Sequence, residues 1–232
     1  IVKTSSGVES AEAQTPMTEL TKILAAKAPM GKSRINLAAY PQESLLYVGY
    51  LLKAFLEVQG AVVNGSIVKG IVKSDAKLVY QHQSSKSLDQ VVQAMLKFST
   101  NFIANQLFLV IGAEKMGAPA NLQKSQKVFA EFFSSKIGLK NFHIEEGSGI
   151  SRENQMSPQQ QVKLLKYFEK YKNLLPEKLD SILAKTGTLN GVSCLSGYFN
   201  STQYGEVRFS ILLNQAGAYR EKIAKILYGQ LH

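Results

Sequence analysis

The sequence predicts an α+β fold in which an antiparallel sheet is flanked by helices. Three strand-like runs occupy the C-terminal third, at residues 181–188, 192–199 and 206–214. A polar turn joins the last two runs, and consecutive strands joined by a short turn pair antiparallel. The chain before them instead repeats apolar residues mostly at helical spacing. Helices followed by strands indicate an α+β domain.

The helices are predicted in chain order from apolar spacing and from the residues that end each run. A long helix begins at Pro41 and stops before Gly60. The spacing also predicts an amphipathic helix within residues 17–30. The next three helices are predicted at residues 87–98, 102–111 (closing at Gly112) and 121–135.

Two helices accompany the predicted sheet. Ser157-Pro158-Gln159-Gln160 has the pattern of a capping box with proline in the first turn, which marks the start of a helix. The last segment, residues 218–231, is amphipathic and is expected to pack on the sheet. We expect its inward residues to be Ile223, Ile226 and Leu227, and its outward residues to be Arg220, Lys222 and Lys225.

Residues 61–72 are rich in valine and isoleucine and are punctuated by Gly65 and Gly70. β-branched residues between turn signals favour extended structure. The sequence therefore predicts one strand or a hairpin between the first two long helices.

Composition indicates a globular chain with a positive charge. The 232 residues (25.5 kDa) are 45% hydrophobic and 19% charged, with a net charge of +10 and a pI near 9.5. The lysines are scattered, which favours solvated faces over a nucleic-acid patch, and no RNA or DNA motif is present. The longest apolar run, residues 102–113, is shorter than the roughly 20 residues that span a bilayer. We expect no nucleic-acid partner and no transmembrane segment.

Cysteine and histidine offer little chemistry. The single cysteine, Cys194, lies in an apolar context and is expected to be a buried structural thiol. His82, His143 and His232 lack the spacing of metal ligands and have no local triad motif. We therefore expect no metal and no cofactor.

The run Lys185-Thr186-Gly187-Thr188 is the most informative motif. It follows an apolar run and precedes a second strand-like stretch. On a strand beside a cleft, the lysine supplies fixed positive charge, the threonines supply hydroxyl donors, and the glycine lets a substrate lie against the backbone. A Lys-Thr-Gly motif is one of three that occur together in penicillin-interacting serine enzymes.

Two further stretches complete a family-like pattern in the expected order. The helical segment with Ser99-Thr100-Asn101 resembles the second motif, Ser-Xaa-Asn, of the D-alanyl-D-alanine carboxypeptidase/endopeptidase family of low-molecular-mass penicillin-binding proteins. Glu146-Gly147-Ser148-Gly149-Ile150-Ser151-Arg152 is similar to that family's Asp-Gly-Ser-Gly-Leu-Ser-Arg stretch. Alone, Ser99-Thr100-Asn101 is a typical helix cap. The resemblance covers roughly residues 40–230 and implies a penicillin-recognising, transpeptidase-like fold.

The resemblance implies serine acyl transfer on peptidoglycan stem peptides, with β-lactam antibiotics as further ligands. Ser99 would relay a proton to the leaving amine, Asn101 would bind the substrate amide, and Lys185 would supply positive potential. Thr186 and Thr188 would bind the terminal carboxylate beside Gly187, and the Thr188 N–H would belong to the oxyanion hole. Ser151 and Arg152 would shape the substrate site.

The family's nucleophile motif, Ser-Xaa-Xaa-Lys, has no convincing match. The two candidates, Ser66-Ile67-Val68-Lys69 and Ser74-Asp75-Ala76-Lys77, lie in a strand-like run and a polar turn rather than at a helix start. We therefore expect this chain to be the C-terminal part of a longer enzyme and to be inactive alone. Residues 1–75 would be the remnant of an upstream, inserted region, and residues 76–232 a transpeptidase-like domain.

Three functions of different kinds follow. The first is a serine-type D-Ala-D-Ala carboxypeptidase or endopeptidase of the bacterial cell envelope, periplasmic or extracytoplasmic. The second is a catalytically silent relative that binds cell wall or a protein partner through the same cleft. The third is a module that binds an anionic polymer through its positive charge.

Overall fold

The structure is a computed structural model that describes residues 2–5, 7–9, 31–33, 41–179, 181–215, 217 and 219–231, with side chains from residue 45 onward. The chain divides into two compact units, Ile1–Gln81 and His82–His232. The amphipathic helix predicted within residues 17–30 lies outside the described residues.

The described residues of the first unit form a small antiparallel sheet and one long helix. Its strands are β1 (Val2–Ser5), β2 (Gly7–Glu9) and β3 (Gly31–Ser33), in the order β2-β1-β3. Helix α1 spans Pro41–Val58, as its apolar spacing predicts.

The strand or hairpin predicted at residues 61–72 is wrong. The described chain forms no sheet pairing there, and the side chain of Ile71 is 98% exposed. Gly65 has a φ of +109°, which interrupts an extended backbone. Because a strand needs a hydrogen-bonded neighbour, β-branched composition alone does not produce one.

The second unit contains five α-helices among its described residues: α2 (Leu88–Phe98), α3 (Asn101–Met116), α4 (Leu122–Phe132), α5 (Pro158–Phe168) and α6 (Tyr219–Leu231). A π-helical turn, Phe133–Ile137, extends α4, and a 3-10 segment, Glu169–Leu174, follows α5. Full capping boxes begin α2 at Ser87 and α5 at Ser157, so the start predicted for α5 is confirmed.

Helix α3 does not close at Gly112 as predicted. It continues for another turn, to Met116, and Gly112 is buried within it. A Cβ on Gly112 would lie 2.3 Å from Oγ of Ser125, which is on α4. This glycine therefore permits close helix packing rather than ending the helix.

The predicted antiparallel sheet is confirmed. Its strands are β4 (Glu177–Lys178), β5 (Ile182–Leu189), β6 (Val192–Ser201) and β7 (Gly205–Leu213), and they are hydrogen-bonded in the order β4-β5-β6-β7. Helices flank this sheet, so the α+β class is confirmed as well. Helix α5 contacts it through the Tyr198 hydroxyl, which donates to the Leu165 carbonyl at 2.5 Å.

The core lies between the sheet and α6. It is formed by Ile182, Ala184, Leu195, Phe199, Phe209 and Ala224. The inward face predicted for α6 is partly wrong, since Ile226 is 60% exposed and Ile223 is exposed as well. Leu227 packs inward together with Ala224, Tyr228 and Leu231. Those positions follow helical spacing, and the small Ala224 lets the helix approach the sheet.

Candidate active site

A hydrogen bond joins the second and third predicted motifs. The ammonium Nζ of Lys185, on β5, donates to Oγ of Ser99 at 2.6 Å and to the carbonyl of Thr186 at 2.7 Å. In the described chain β4 pairs with β5 only at Ile182 and Leu183. The strand is therefore a sheet edge from Lys185 onward, and this edge meets the junction of α2 and α3.

Ser99 is held by the tight turn between two helices. It caps the C-terminus of α2 with φ 52° and ψ 52°, a left-handed conformation that is uncommon for a residue other than glycine. The N–H of Thr100 donates to the Met95 carbonyl at 3.2 Å and secures the turn. Asn101 follows as the first residue of α3, where it is exposed. The turn therefore holds Ser99 at the surface with Asn101 two residues away.

The charge on Lys185 is held in a partly buried, electropositive setting. Burial lowers its pKa below the ordinary lysine value, and the nearby positive charges of Lys178 and Arg220 lower it further. Lys178 and Lys185 make this edge suited to an anionic ligand, whereas the charge of Arg220 is offset by Glu221.

The rest of the third motif is accessible from outside. Thr186 is half-buried, whereas Gly187 and Thr188 are exposed. Arg220, on the first turn of α6, donates through Nη1 to Oγ1 of Thr188 at 2.6 Å and to the Gly187 carbonyl at 2.7 Å.

The outward position predicted for Arg220 is therefore wrong. Its side chain is only 15% exposed and reaches the third motif. Arg220 is a site residue that the sequence prediction missed. The available signal was its position one turn before Ala224, which places it on the buried face of α6 once that face is set by Ala224 and Leu227.

The Glu146 carboxylate organises the loop that carries Ser151 and Arg152. One oxygen accepts from the Ser148 N–H at 2.7 Å and from the Ser148 hydroxyl, and the other accepts from the Ser151 N–H at 3.2 Å and from Asn154 Nδ2 at 2.8 Å. Partial burial acts to raise the pKa of Glu146, but these hydrogen bonds outweigh it and lower the pKa to about 2. The carboxylate is therefore ionised at neutral pH.

This loop is hydrogen-bonded to α3 and to the turn after β5. Oδ1 of Asn105, on α3, accepts from the N–H groups of Gly147 at 2.8 Å and Ser148 at 3.1 Å. Arg152 donates through Nη2 to the carbonyl of Asn190 at 2.5 Å, in the turn between β5 and β6. Ser151 lies inside the Glu146 network, and its hydroxyl accepts from the Glu153 N–H at 3.2 Å. The structure thus gives Ser151 and Arg152 contacts within the protein, and their contact with substrate stays a prediction.

The two nucleophile candidates lie in the first unit. Ser66 is exposed in an irregular stretch, and Ser74 is exposed in a turn. Neither begins a helix, so neither has the local geometry that the motif requires.

The described residues offer little other chemistry. No group of His, Cys, Asp and Glu side chains among them could hold a metal ion. Within the same residues, every helix is too short or too polar to cross a bilayer. Cys194 is half-buried on β6 rather than fully buried.

This chain is similar in sequence and in fold to known proteins. The D-alanyl-D-alanine carboxypeptidase DacB of Haemophilus influenzae is 24% identical over 197 residues, which are 75% of this chain and 41% of that protein. The D-alanyl-D-alanine carboxypeptidase of Actinomadura sp. (strain R39) is 29% identical over 204 residues, 74% of this chain and 37% of that protein. The chain therefore spans about two fifths of the length of these curated relatives.

The crystal structure of penicillin binding protein 4 (dacB) from Haemophilus influenzae, complexed with a novel β-lactam, matches with a TM-score of 0.67 and 22% identity. The match covers 78% of this chain and 51% of that one, and it confirms the predicted penicillin-recognising fold. The D-Ala-D-Ala carboxypeptidase 3 (S13) family matches residues 24–179 and 172–228, which together are most of the sequence. The chain therefore belongs to the D-Ala-D-Ala carboxypeptidase 3 (S13) family.

Proposed function

We propose that this chain carries the Ser99, Asn101 and Lys185 part of a serine-type D-Ala-D-Ala carboxypeptidase/endopeptidase site that acts on peptidoglycan stem peptides. The observation that carries the proposal is the 2.6 Å hydrogen bond from Nζ of Lys185 to Oγ of Ser99. It joins two motifs from distant parts of the chain at an open sheet edge. The names of the relatives support the same reaction, and β-lactams are proposed as further ligands because one relative binds one.

The proposed reaction is acyl transfer. A serine hydroxyl attacks the carbonyl carbon between the two D-alanines and releases its proton, and the peptide C–N bond breaks. The departing amine takes up a proton from Ser99, which regains one from the attacking serine. Because Lys185 donates to Ser99, the oxygen of Ser99 accepts and its own hydrogen is available to pass to that amine. Lys185 also stabilises negative charge near the reacting carbonyl.

The substrate peptide is proposed to lie along the edge of β5. An extended peptide can add to an open strand through backbone hydrogen bonds. In that position the hydroxyls of Thr186 and Thr188 bind the terminal carboxylate, and the Thr188 N–H forms part of the oxyanion hole. The amide of Asn101 binds the substrate's own amide, and Gly187 leaves room for the peptide.

The attacking serine is proposed to come from outside these 232 residues. The positions of Ser66 and Ser74 support this, as neither is at a helix start. The greater length of the relatives supports it too. On this proposal the isolated chain is inactive, residues 1–75 belong to an inserted region, and the enzyme works in the bacterial cell envelope.

Labelling with a fluorescent penicillin tests the proposal. The full-length gene product should become covalently labelled, and the isolated 232-residue chain should not. Wild-type full-length protein that resists labelling would overturn the enzymatic proposal and leave a silent, wall-binding relative. Loss of labelling in a Ser66→Ala or Ser74→Ala variant would instead show that the nucleophile is within this chain.

A further inference from the structure

Arg220 connects helix α6 to the last threonine of the third motif. Its Nη1 donates to Oγ1 of Thr188 at 2.6 Å and to the Gly187 carbonyl at 2.7 Å, with a longer contact of 3.4 Å to the Cys194 carbonyl. The arginine side chain is mostly buried, whereas Thr188 is exposed. Arg220 therefore holds the exposed Thr188 hydroxyl by a hydrogen bond from its buried side.

The direction of this hydrogen bond fixes what the hydroxyl can do. A threonine hydroxyl has one donor hydrogen and two acceptor lone pairs, and an arginine side chain has only donors. Oγ1 of Thr188 must therefore accept from Arg220, and its hydrogen must point elsewhere. Because Thr188 is exposed, its hydroxyl hydrogen can point outward, where a carboxylate is a strong acceptor.

Glu221 offsets the positive charge of Arg220. Its Oε1 accepts from Nε of Arg220 at 2.6 Å. Partial burial acts to raise the pKa of Glu221, but the hydrogen bond from Arg220 outweighs it and keeps the carboxylate ionised. The Arg220–Glu221 pair thus adds little net charge at Thr188, so the contribution of Arg220 is the orientation of the hydroxyl, while Lys185 supplies the attraction.

We propose that Arg220 is a positioning residue that orients the Thr188 hydroxyl as a donor to the free carboxylate of the substrate. The site would then prefer peptides that end in a carboxylate over the same peptides ending in an amide. This inference rests on the proposed function of the third motif as the carboxylate site.

The test compares binding of an N-acylated D-Ala-D-Ala peptide and its C-terminal amide to the full-length gene product, by calorimetry or ligand-observed NMR. Arg220→Gln should weaken binding of the acid by about tenfold, the size of one charge-assisted hydrogen bond, and change binding of the amide by less than about twofold. In a Thr188→Val background Arg220→Gln should have no further effect, because the hydroxyl it orients is gone. Lys222→Gln, two residues along α6 and exposed, is the matched control and should bind like wild type.

Equal weakening of acid and amide would show a merely structural role and overturn the proposal. Additive effects of the Arg220 and Thr188 substitutions, or a wild-type protein that binds acid and amide equally, would overturn it too. Penicillin labelling of the same wild-type sample separates this result from the proposed function. If the wild-type protein is not labelled but still binds the acid more tightly than the amide, and Arg220→Gln removes that preference, the proposed enzymatic function is wrong. The role of Arg220 is then still supported.

Discussion

The ammonium of Lys185 and the hydroxyl of Ser99 lie 86 residues apart in sequence, yet Nζ donates to Oγ at 2.6 Å. On the proposed function, this contact makes the two side chains one catalytic unit. We predict that Ser99→Ala and Lys185→Gln each slow acylation of the full-length protein by about 100-fold, since proton-transfer groups contribute on that scale. The measurement is time-resolved labelling with a fluorescent penicillin.

The double variant tests whether the two residues act together. Ser99→Ala combined with Lys185→Gln should be little slower than either single variant, because groups that act as a unit show non-additive losses. Lys163→Gln, an exposed lysine on α5, is the charge-matched control and should label at the wild-type rate. Losses that multiply would contradict a shared role.

The lowered pKa of Lys185 predicts the alkaline limit of acylation. Its positive charge is present below its pKa and is lost as pH rises through it, so labelling should fall at a pH below the ordinary lysine value of 10.5. Burial is the main cause of the lowered pKa, and repulsion from Lys178 adds to it. Lys178→Gln should therefore raise the pKa of Lys185 and move the alkaline limb to higher pH.

The pH–rate profile of penicillin labelling checks this prediction. Other titrating groups in the full-length protein also make the labelling rate fall at alkaline pH. The fall assigned to Lys185 is therefore the one that Lys178→Gln moves to higher pH. Lys163→Gln should leave every limb in place. A profile that Lys178→Gln does not change would show that Lys185 does not set the limit.

Much of the framework could be predicted because its signals are local. The capping box at Ser157 and the strand-like runs of β5 and β6 depend on a few neighbouring residues, and the structure has both features. The strand placement of Lys185 follows from the same short-range pattern. Here local preference and tertiary packing agree.

The wrong predictions concern features that depend on contacts with residues distant in the sequence. Residues 61–72 have strand composition, but the described chain supplies no strand beside them. The phase of α6 depends on which residue meets the sheet, and the small Ala224 does so in place of Ile223 and Ile226. The contact of Arg220 with Thr188 follows from that phase. A helical pattern with apolar residues on several sides does not determine which side of α6 faces the sheet.

The Glu146 carboxylate should stabilise the loop in a pH-dependent way. It accepts four hydrogen bonds, and its pKa is about 2 in the fold against 4.5 for the free side chain. A lowered pKa stabilises the fold above the unfolded value, and this contribution is lost as pH falls through 4.5 toward 2. We predict that Glu146→Gln lowers the free energy of unfolding by about 1–3 kcal/mol at pH 7, since an amide cannot accept all four bonds.

Denaturant unfolding of the variants at pH 7 and at pH 3 measures this effect. Glu146→Gln should lose less stability than wild type between the two pH values, because it has no carboxylate to protonate. Glu146→Asp keeps the charge and should keep the steeper dependence. Parallel pH profiles for wild type and Glu146→Gln would show that another group causes the acid loss.

A substitution at Gly187 tests whether the site needs a glycine there for substrate binding rather than for folding. A Cβ there would lie 3.5 Å from Cβ of Cys194, which is an ordinary contact, so Gly187→Ala should fold with a free energy of unfolding within about 1 kcal/mol of wild type. The added methyl group would project from the exposed β5 surface where the peptide is proposed to lie. We predict that penicillin labelling of the full-length protein slows by at least about tenfold, as expected for even a small misplacement of the reacting groups.

Gly197, on β6, is the matched contrast, because a Cβ there would lie 2.1 Å from the Leu183 carbonyl oxygen and Gly197→Ala should destabilise the sheet itself. Normal labelling by Gly187→Ala would contradict a peptide lying along β5, whereas loss of labelling with an unchanged melting curve would support it.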